Sequence, residues 1–387
     1  MSVKIGIIAD IHLQGGLESK EAKVLMKASA ILDRENVDMV IIAGDIFEDV
    51  STEEQRLVFR NFLDSFQSTL PKLILRGNHD KPKDLMVYND RESRSIYVSE
   101  RPEIIKLRLG NLENGSWFQF LTIPHFSAGA LALQSKSVEQ LGEKGTNAFM
   151  DLLDSYYNKI RTSDIPSFVP FHGTISGAKL DNDKIPKLNG IHLPLGLLET
   201  FGCPVVGGHY HKFQKVGRNV WYPGSITRQT WGESLDDKGL LIWSWDGSWT
   251  PEPEFFSLDP EPMKSFNATW DGNKFIDETG AELNIDSLAD EKAKIRFRYT
   301  VSKELSHTVP KDLKEKLIAI DPEAKIEKTT NITVAVRNEE IVKANDIEGS
   351  LKIYFQGKGM EASDIEAHLN ERKQILSEIE TKAEVTV

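Results

Sequence analysis

Between residues 3 and 75 the chain alternates short runs of branched apolar residues with longer stretches in which apolar positions recur every three or four residues. Val3 to Ala9, Val37 to Ala43 and Leu73 to Leu75 are apolar throughout, the pattern of strands covered on both faces. Between the first two, Ser19 to Glu35 places Ala22, Leu25, Met26, Ser29, Ile31 and Leu32 at helical spacing. Ser51, with Glu54 three residues on, reads as a capping box. It opens a second helix whose apolar positions Leu57, Val58, Phe62, Leu63 and Phe66 keep the 3.6 period. Strand, helix, strand, helix, strand predicts an α/β layer of parallel strands joined by right-handed crossovers.

From about Asp80 to Asn114 the chain turns polar and charged and reads as an excursion from the core layer. Ala148 to Ile160 has a helical pattern, and Phe168 to Phe171 and Pro204 to Val206 read as further buried strands. Phe213 to Trp245 reads as short strands with turns, ending in the apolar run Gly239 to Trp243. Pro251, Pro253, Pro260 and Pro262 predict a linker. Beyond it a smaller α+β unit is expected, with a strand over Lys294 to Val301, a helix over Lys311 to Ile320 and a strand over Asn331 to Val336. Residues 341–387 form a charged tail with helical patterns around Ile347–Phe355 and Ile365–Ile379. The organisation expected is thus 1–258, 259–340 and 341–387.

Length and composition agree with several domains. The chain has 387 residues, 40 % of them hydrophobic, enough for real cores and against wholesale disorder. A formal net charge of −12 argues against a protein that grips nucleic acid through bulk positive charge. The single cysteine, Cys203, excludes a disulfide framework and suits a reducing compartment. No apolar run approaches the roughly 18–20 residues of a membrane span. Met1-Ser2-Val3-Lys4-Ile5 leads straight into a strand without a secretory pattern. The expectation is a cytoplasmic protein without membrane contact.

Five short motifs stand at the ends of predicted strands: Asp10-Ile11-His12, Gly44-Asp45-Ile46-Phe47, Gly77-Asn78-His79-Asp80, His172-Gly173 and Gly208-His209-Tyr210-His211. Ligands of open α/β folds collect beyond the carboxyl ends of strands, and each motif puts a metal-competent group there. Five of the nine histidines fall in these motifs, which scattered surface histidines would not do. Carboxylate, imidazole and amide without thiolate suit Mn²⁺, Fe²⁺, Zn²⁺ or Mg²⁺. The Asp10-x-His12 and His209-x-His211 spacings put alternate side chains on one side of an extended segment. A carboxylate such as Asp45 can bridge two ions, which phosphoester hydrolysis uses about 3.5–4 Å apart.

This ordered set resembles the calcineurin-like metallophosphoesterase superfamily. Within it the chain is similar to the SbcD-type nuclease subunit of DNA double-strand-break repair complexes, in a bacterial or phage form. The narrower resemblance rests on Gly208-His209-Tyr210-His211-Lys212-Phe213-Gln214, on Tyr222-Pro223-Gly224-Ser225 and on Lys238-Gly239 leading into a strand. It implies a β-sandwich flanked by helices, a smaller α+β capping, DNA-binding domain and a helical C-terminal tail. It also implies two divalent ions, Mn²⁺ or else Mg²⁺: one held by Asp10, His12, Asp45 and His211, the other by Asp45, Asn78, His172 and His209. His79 would contact the scissile phosphate and help the leaving oxygen depart, with Asp80 orienting it. Some relatives carry a histidine just after the Gly-Asp-x-Phe motif, where this chain has Glu48.

The activity so implied is a Mn²⁺-dependent DNA exonuclease and endonuclease in repair and recombination, working in the cytoplasm or, if phage-encoded, in the host cytoplasm. A phosphatase or small-molecule phosphodiesterase is the alternative, and a non-catalytic structural subunit a third. Protein phosphatases of the superfamily usually carry an arginine shortly after the second-motif aspartate to clamp a monoester; Ile46-Phe47-Glu48-Asp49-Val50 has none. Gly173 to Lys179 superficially resembles a phosphate-binding loop but lacks the Gly-Lys-Ser/Thr ending, so ATP hydrolysis would come from an SbcC-like coiled-coil ATPase partner. Ile365, Leu369, Ile375, Leu376 and Ile379 would dock on that partner or pack on their own domain. The helices at 19–35 and 51–66 are candidates for a homodimer bundle. His125 and His192 read as structural. Two bound ions would add four positive charges where phosphate binds, so the −12 charge becomes a statement of weak, salt-sensitive DNA affinity for this chain alone.

Overall fold

Strands that are apolar on both faces need cover on both sides, and the fold supplies it with two stacked sheets and helices outside them. The computed structural model describes residues 2–110, 115–125, 138–180, 192–291, 293–331 and 347–384. The first half contributes β1 (Val3–Ile8), α1 (Lys20–Arg34), β2 (Met39–Ile42), α2 (Glu53–Asp64), β3 (Lys72–Leu75), β4 (Ile96–Ser99), β5 (Glu103–Leu109), β6 (Ser116–Thr122), α3 (Val138–Arg161) and β7 (Ser167–His172). Then come α4 (Leu195–Thr200), β8 (Val205–Gly208), β9 (Gln214–Lys215), β10 (Val220–Tyr222), β11 (Gly239–Trp245) and β12 (Glu254–Ser257).

One sheet runs β12-β11-β1-β2-β3-β4 and the other β5-β6-β7-β8-β10-β9. Strands β1 to β4 are parallel, as the strand–helix alternation predicts, and β11 closes antiparallel on β1. Alternation along each strand sorts the core into layers. Ile5, Ile7, Met39, Ile41 and Leu73 meet Phe118, Phe120, Phe168 and Val206 between the sheets. Ile8, Val40, Ile42 and Ile74 point the other way, onto Leu25, Leu32, Val58 and Phe62 of α1 and α2. The second sheet is backed in turn by Phe149, Leu153 and Leu198 of α3 and α4. Helices, sheet, sheet, helices is the sandwich expected.

Local details differ from the sequence reading in three places. The capping box of α2 is Thr52 with Gln55, one residue later than expected, because Ser51 is engaged by Asp84 Oδ1 at 2.8 Å. The polar stretch after Asp80 holds β4 and β5 at sheet edges; in β5, buried Ile105, Leu107 and Leu109 alternate with exposed Lys106 and Arg108. Its polarity marks a one-sided strand rather than an excursion. Pro251 and Pro253 lie in the connection between β11 and β12, inside the first sheet's own hairpin.

A third sheet of order β14-β13-β15-β16 follows, built from β13 (Met263–Trp270), β14 (Phe275–Asp277), β15 (Lys294–Ser302) and β16 (Lys325–Asn331). Helix α5 (Leu313–Ile320) precedes β16, which lies just before the strand expected at 331–336; residues 332–336 fall outside the described residues. Helices α6 (Ile347–Gly357) and α7 (Ala362–Glu384) occupy the charged tail. By contacts the chain divides into two units: residues up to Ser265 with Asp286–Arg296 and Leu317–Lys325, and the remainder. Among the described residues no helix is long and apolar enough to cross a membrane.

Candidate metal centre

All five motifs leave the carboxyl ends of central strands. Asp10 and His12 follow β1, Asp45 follows β2, Asn78 and His79 follow β3, His172 ends β7, and His209 and His211 follow β8. The first two loops are stitched together by Asp10 N–H to the Gly44 carbonyl (3.1 Å) and His12 N–H to the Asp45 carbonyl (3.0 Å). The segments are not extended, as the x-spaced pairs had suggested. Asp10, His12 and Asp45 sit at φ near +50° and His209 at +115°, a left-handed backbone that costs of order 1–3 kcal/mol per residue and clusters at functional sites. Strained turns aim successive donors inward. Two glycines make the crowding possible: Gly44, at φ +90°, lies where a Cβ would strike His172, and at Gly77 it would strike Asp45.

Three overlapping donor groups result among the described residues, and Asp45 belongs to two of them. Asp10, His12 and Asp45 offer atoms all within 4.8 Å of one another, and so do Asp45, His172 and His209. His211 joins the first group, its Nε2 lying 3.1 Å from His12 Nε2. Asn78 joins the second, its Oδ1 standing 3.0 Å from His172 Nε2 and 2.8 Å from His209 Nδ1. Asp45 Oδ2 lies 3.8 Å from His12 Nε2 and 3.3 Å from His172 Nε2, the place of a bridging atom. Its Oδ1 accepts the His79 N–H at 2.8 Å. The Asp10 carboxylate accepts the His209 N–H at 2.9 and 3.1 Å. Every residue expected to hold a metal is drawn into one of these groups.

The chemistry of the donors calls for cations. His12 Nδ1 faces Glu48 Oε2 at 2.6 Å and His211 Nδ1 faces Glu233 Oε1 at 3.1 Å, so each ring spends its proton there. Two lone pairs are then left pointing at each other from the Nε2 atoms. His172 Nδ1 likewise donates to the Ala43 carbonyl at 2.7 Å, leaving Nε2 among the oxygens of Asp45 and Asn78. Without an ion, protons must fill these gaps. Burial pushes the His172 pKa down, but the adjacent Asp45 charge overrides it and takes it up to about 9. Burial also raises Asp45, yet His172 and the His79 N–H hold it well below the usual carboxylate range. Burial pushes Asp10 up, and it pushes His12 down and His209 down to about 3, favouring the neutral ring at those two; His211 is also pushed down by burial, but Glu233 and Asp10 override it and raise it.

His79 joins neither Asp45 group; with His12 and Glu48 it forms a further cluster whose donor atoms lie within 4.8 Å of one another. Its Nδ1 donates to the Glu48 carbonyl at 2.9 Å, and its half-exposed ring meets His12 edge-on at 5.0 Å. Asp80, expected to orient His79, has other work. Its buried carboxylate accepts the N–H groups of Ile46 (3.0 Å), Phe47 (3.1 Å) and Gly77 (2.8 Å), tying the Asp45 loop to the Asn78 loop. It positions backbone rather than the imidazole.

Sequence reasoning noted Glu48 only as a departure and gave Glu233 and Lys238 no role. Lys238 is fully buried; its Nζ lies 2.7 Å from Glu233 Oε2, 2.7 Å from the His211 carbonyl and 3.0 Å from Ser225 Oγ. A lysine directly before the apolar strand Gly239–Trp243 was the available signal. Glu233, on a single 3₁₀ turn, had none.

The sequence profile of the calcineurin-like phosphoesterases matches residues 3–213, the stretch from β1 to the last histidine motif. The chain belongs to this family. Its relatives are remote. Protein 244L of Invertebrate iridescent virus 6, which carries a phosphoesterase name, is 24 % identical over 217 residues, 54 % of this chain and 64 % of that protein. Protein 078R of Invertebrate iridescent virus 3, similarly named, is 25 % identical over 241 residues, 61 % of this chain and 60 % of that one. The matched region is thus under two thirds of either relative's length. Among solved structures, GAP50, the anchor in the inner membrane complex of Plasmodium, covers 67 % of this chain and 85 % of its own at 14 % identity and a TM-score of 0.45. The family uses two divalent ions, and two donor groups sharing one carboxylate suit that number.

Proposed function

We propose that the chain is a two-metal phosphodiesterase that cleaves DNA, as exonuclease and endonuclease, in double-strand-break repair and recombination. The observation that carries this reading is Asp45 shared between two donor groups, with His79 outside both and clustered with Glu48 beside His12. When bound, a pair of divalent ions, Mn²⁺ first among the candidates, supplies Lewis acidity and a water of lowered pKa. The chain's own contribution is geometric. Asp45 spans both groups, Asp10 and His209 are locked together, and Asp80 holds two loops in register. Because His79 spends Nδ1 on the Glu48 carbonyl, its Nε2 is left for the phosphate or the departing oxygen.

A diester is favoured over a monoester by Ile46-Phe47-Glu48-Asp49-Val50, which offers no guanidinium to clamp a dianion. The motifs around His209–Gln214, Tyr222–Ser225 and Lys238 support the SbcD-like reading, in which a cytoplasmic coiled-coil ATPase supplies ATP hydrolysis and much of the grip on DNA. In the tail, Ile365 and Leu369 are buried and Phe355 stacks on His368, so docking falls to exposed Ile347, Tyr354 and Ile375; the side chains of Leu376 and Ile379 lie outside those described. For a homodimer, Phe62 and Phe66 are spent in the core, while Met26 and Leu57 stay exposed on α1 and α2.

The test is incubation of the purified chain with linear and hairpin DNA in Mn²⁺ or Mg²⁺, with and without the ATPase, beside bis-aryl and mono-aryl phosphates. DNA and bis-aryl cleavage is expected. Hydrolysis of the monoester alone would establish a phosphatase instead.

A further inference from the structure

Away from the metal centre the structure holds a cavity of about 200 Å³, well above the roughly 10–15 Å³ that admits a single water. All of its lining residues belong to the first of the two units. Val24 of α1, half-buried Trp231 and Met263 of β13 make an apolar wall, and Lys20, Arg228 and Lys294 bring cations to it. The three cations are not equally spent. Lys294 is paired with Glu323 and lies 3.9 Å from Glu261. Lys20 Nζ donates to the Arg228 carbonyl at 3.2 Å and lies 3.5 Å from Glu21. Arg228 meets only carbonyl oxygens among the described residues: Nε and Nη2 donate to Asp236 (3.3 and 3.0 Å) and Nη1 to Glu261 (2.8 Å). One N–H on each Nη is left over, and no carboxylate among the described residues pairs with the charge. A phosphate suits such a fork, taking two N–H bonds and supplying the missing charge. The Trp231 ring, with the Arg296 guanidinium 5.0 Å over it, lines the same space, and an aromatic side chain is a stacking platform for any base.

We propose that this cavity is a second ligand site, apart from the metal centre, that takes a free nucleoside monophosphate, with its phosphate on Arg228 and Lys20 and its base against Trp231. A bare anion would leave the apolar wall wet, and an uncharged ring would leave Arg228 unpaired; a mononucleotide answers both. A cavity of this size holds one nucleotide rather than a strand. Mononucleotides are what an exonuclease releases, so the inference rests on the nuclease reading for the source of its ligand but not for the site. The occupant also meets the loop that serves the metal centre. In that loop the Gln229 N–H donates to Glu233 Oε2 at 3.0 Å, and Glu233 Oε1 lies 3.1 Å from His211 Nδ1.

The experiment is isothermal titration of the chelator-stripped full chain with deoxyguanosine monophosphate, in chelator throughout so that no ion is bound and nothing is cleaved. One site per chain is expected. Deoxyguanosine and inorganic phosphate should each bind at least about tenfold more weakly, since each lacks one of the two anchors. Arg228→Gln and Trp231→Leu should each weaken the nucleotide by about tenfold or more. Arg228 also ties two backbone segments, so circular dichroism checks that its variant is folded. Lys20→Ala, at an exposed side chain, is the second phosphate variant and should weaken binding about three- to tenfold. The proposal is overturned by absence of saturable binding, by phosphate binding as tightly as the nucleotide, or by unchanged affinity in Trp231→Leu or Lys20→Ala. Tighter binding of a phosphorylated tetranucleotide would overturn it too, because the site would then belong to a strand. Nucleotide binding without DNA cleavage in Mn²⁺ would count against the nuclease reading alone, and cleavage without nucleotide binding against this site alone.

Discussion

The Nε2 atoms of His12 and His211 face each other at 3.1 Å although 199 residues separate them in the chain. Each ring has its other nitrogen committed to a glutamate, so the pair is two lone pairs waiting for a cation. That relationship, repeated in kind around Asp45, governs what substitutions at the site should do.

Asp45→Asn should abolish binding of both ions, since the carboxylate is common to both groups. A ligand at 100 times its dissociation constant stabilises a fold by about 2.7 kcal/mol. The parental chain should therefore show a Mn²⁺-dependent rise in melting temperature, reversed by chelator, and the variant should show none. Melting curves with and without Mn²⁺, together with metal content per chain, check this.

His79→Ala should keep both ions and lose catalysis. The imidazole lies outside the two groups that share Asp45, and a positioned acid of this type contributes about 10²–10⁴-fold. Single-turnover cleavage of DNA in saturating Mn²⁺ measures the loss. Cleavage at the parental rate would remove His79 from the chemistry.

Gly77→Ala should damage the centre without touching a ligand. Its Cβ would fall against the carboxylate and backbone nitrogen of Asp45, which cannot retreat because His79 and Asp80 hold that loop. Overpacking of this kind costs about 1–3 kcal/mol. The expected result is a lower melting temperature and weaker Mn²⁺ binding together.

Cys203 should be inert while the chain is folded. Burial pushes its thiol up to about 12, so at pH 8.5 almost no thiolate is present. An unfolded cysteine ionises near about 8.5, so between that pH and about 12 the unfolded state loses its proton first. The native state accordingly loses stability from this group as pH rises through the window, by at most about 1.4 kcal/mol per pH unit. Iodoacetamide labelling at pH 8.5 should proceed in urea and stall in buffer. The stability advantage of the parental chain over Cys203→Ala should shrink between pH 8.5 and pH 10.

Much of the fold was legible because burial on both faces writes itself into a strand locally. Val3–Ile8 and Met39–Ile42 are apolar throughout since each lies between helices and a second sheet, and α1 and α2 carry a period that needs no partner to be seen. Edge strand β5 was hidden because only one of its faces is covered. The metal donors were legible for a related reason: ligands leave the ends of strands, so strand and motif could be read together. Asp80 was misread because proximity in sequence to His79 says nothing about where three backbone N–H groups will converge.

By itself, the sequence determined the parallel strands of the first layer, from the local apolar period, and the metal-competent motifs at strand ends, from residue chemistry; the sandwich and the ligand set came with the family resemblance. Tertiary structure alone decided that Asp45 stands between two donor groups and that Glu48 and Glu233 back the imidazoles. It also decided that Lys238 is buried to hold Glu233. Apart from the Lys238–Glu233 pair, five residues apart, those facts depend on distant chain segments being brought to about 3 Å, the range of a hydrogen bond. At that range a backing carboxylate or carbonyl settles which imidazole nitrogen keeps its proton, and so which is free for a metal.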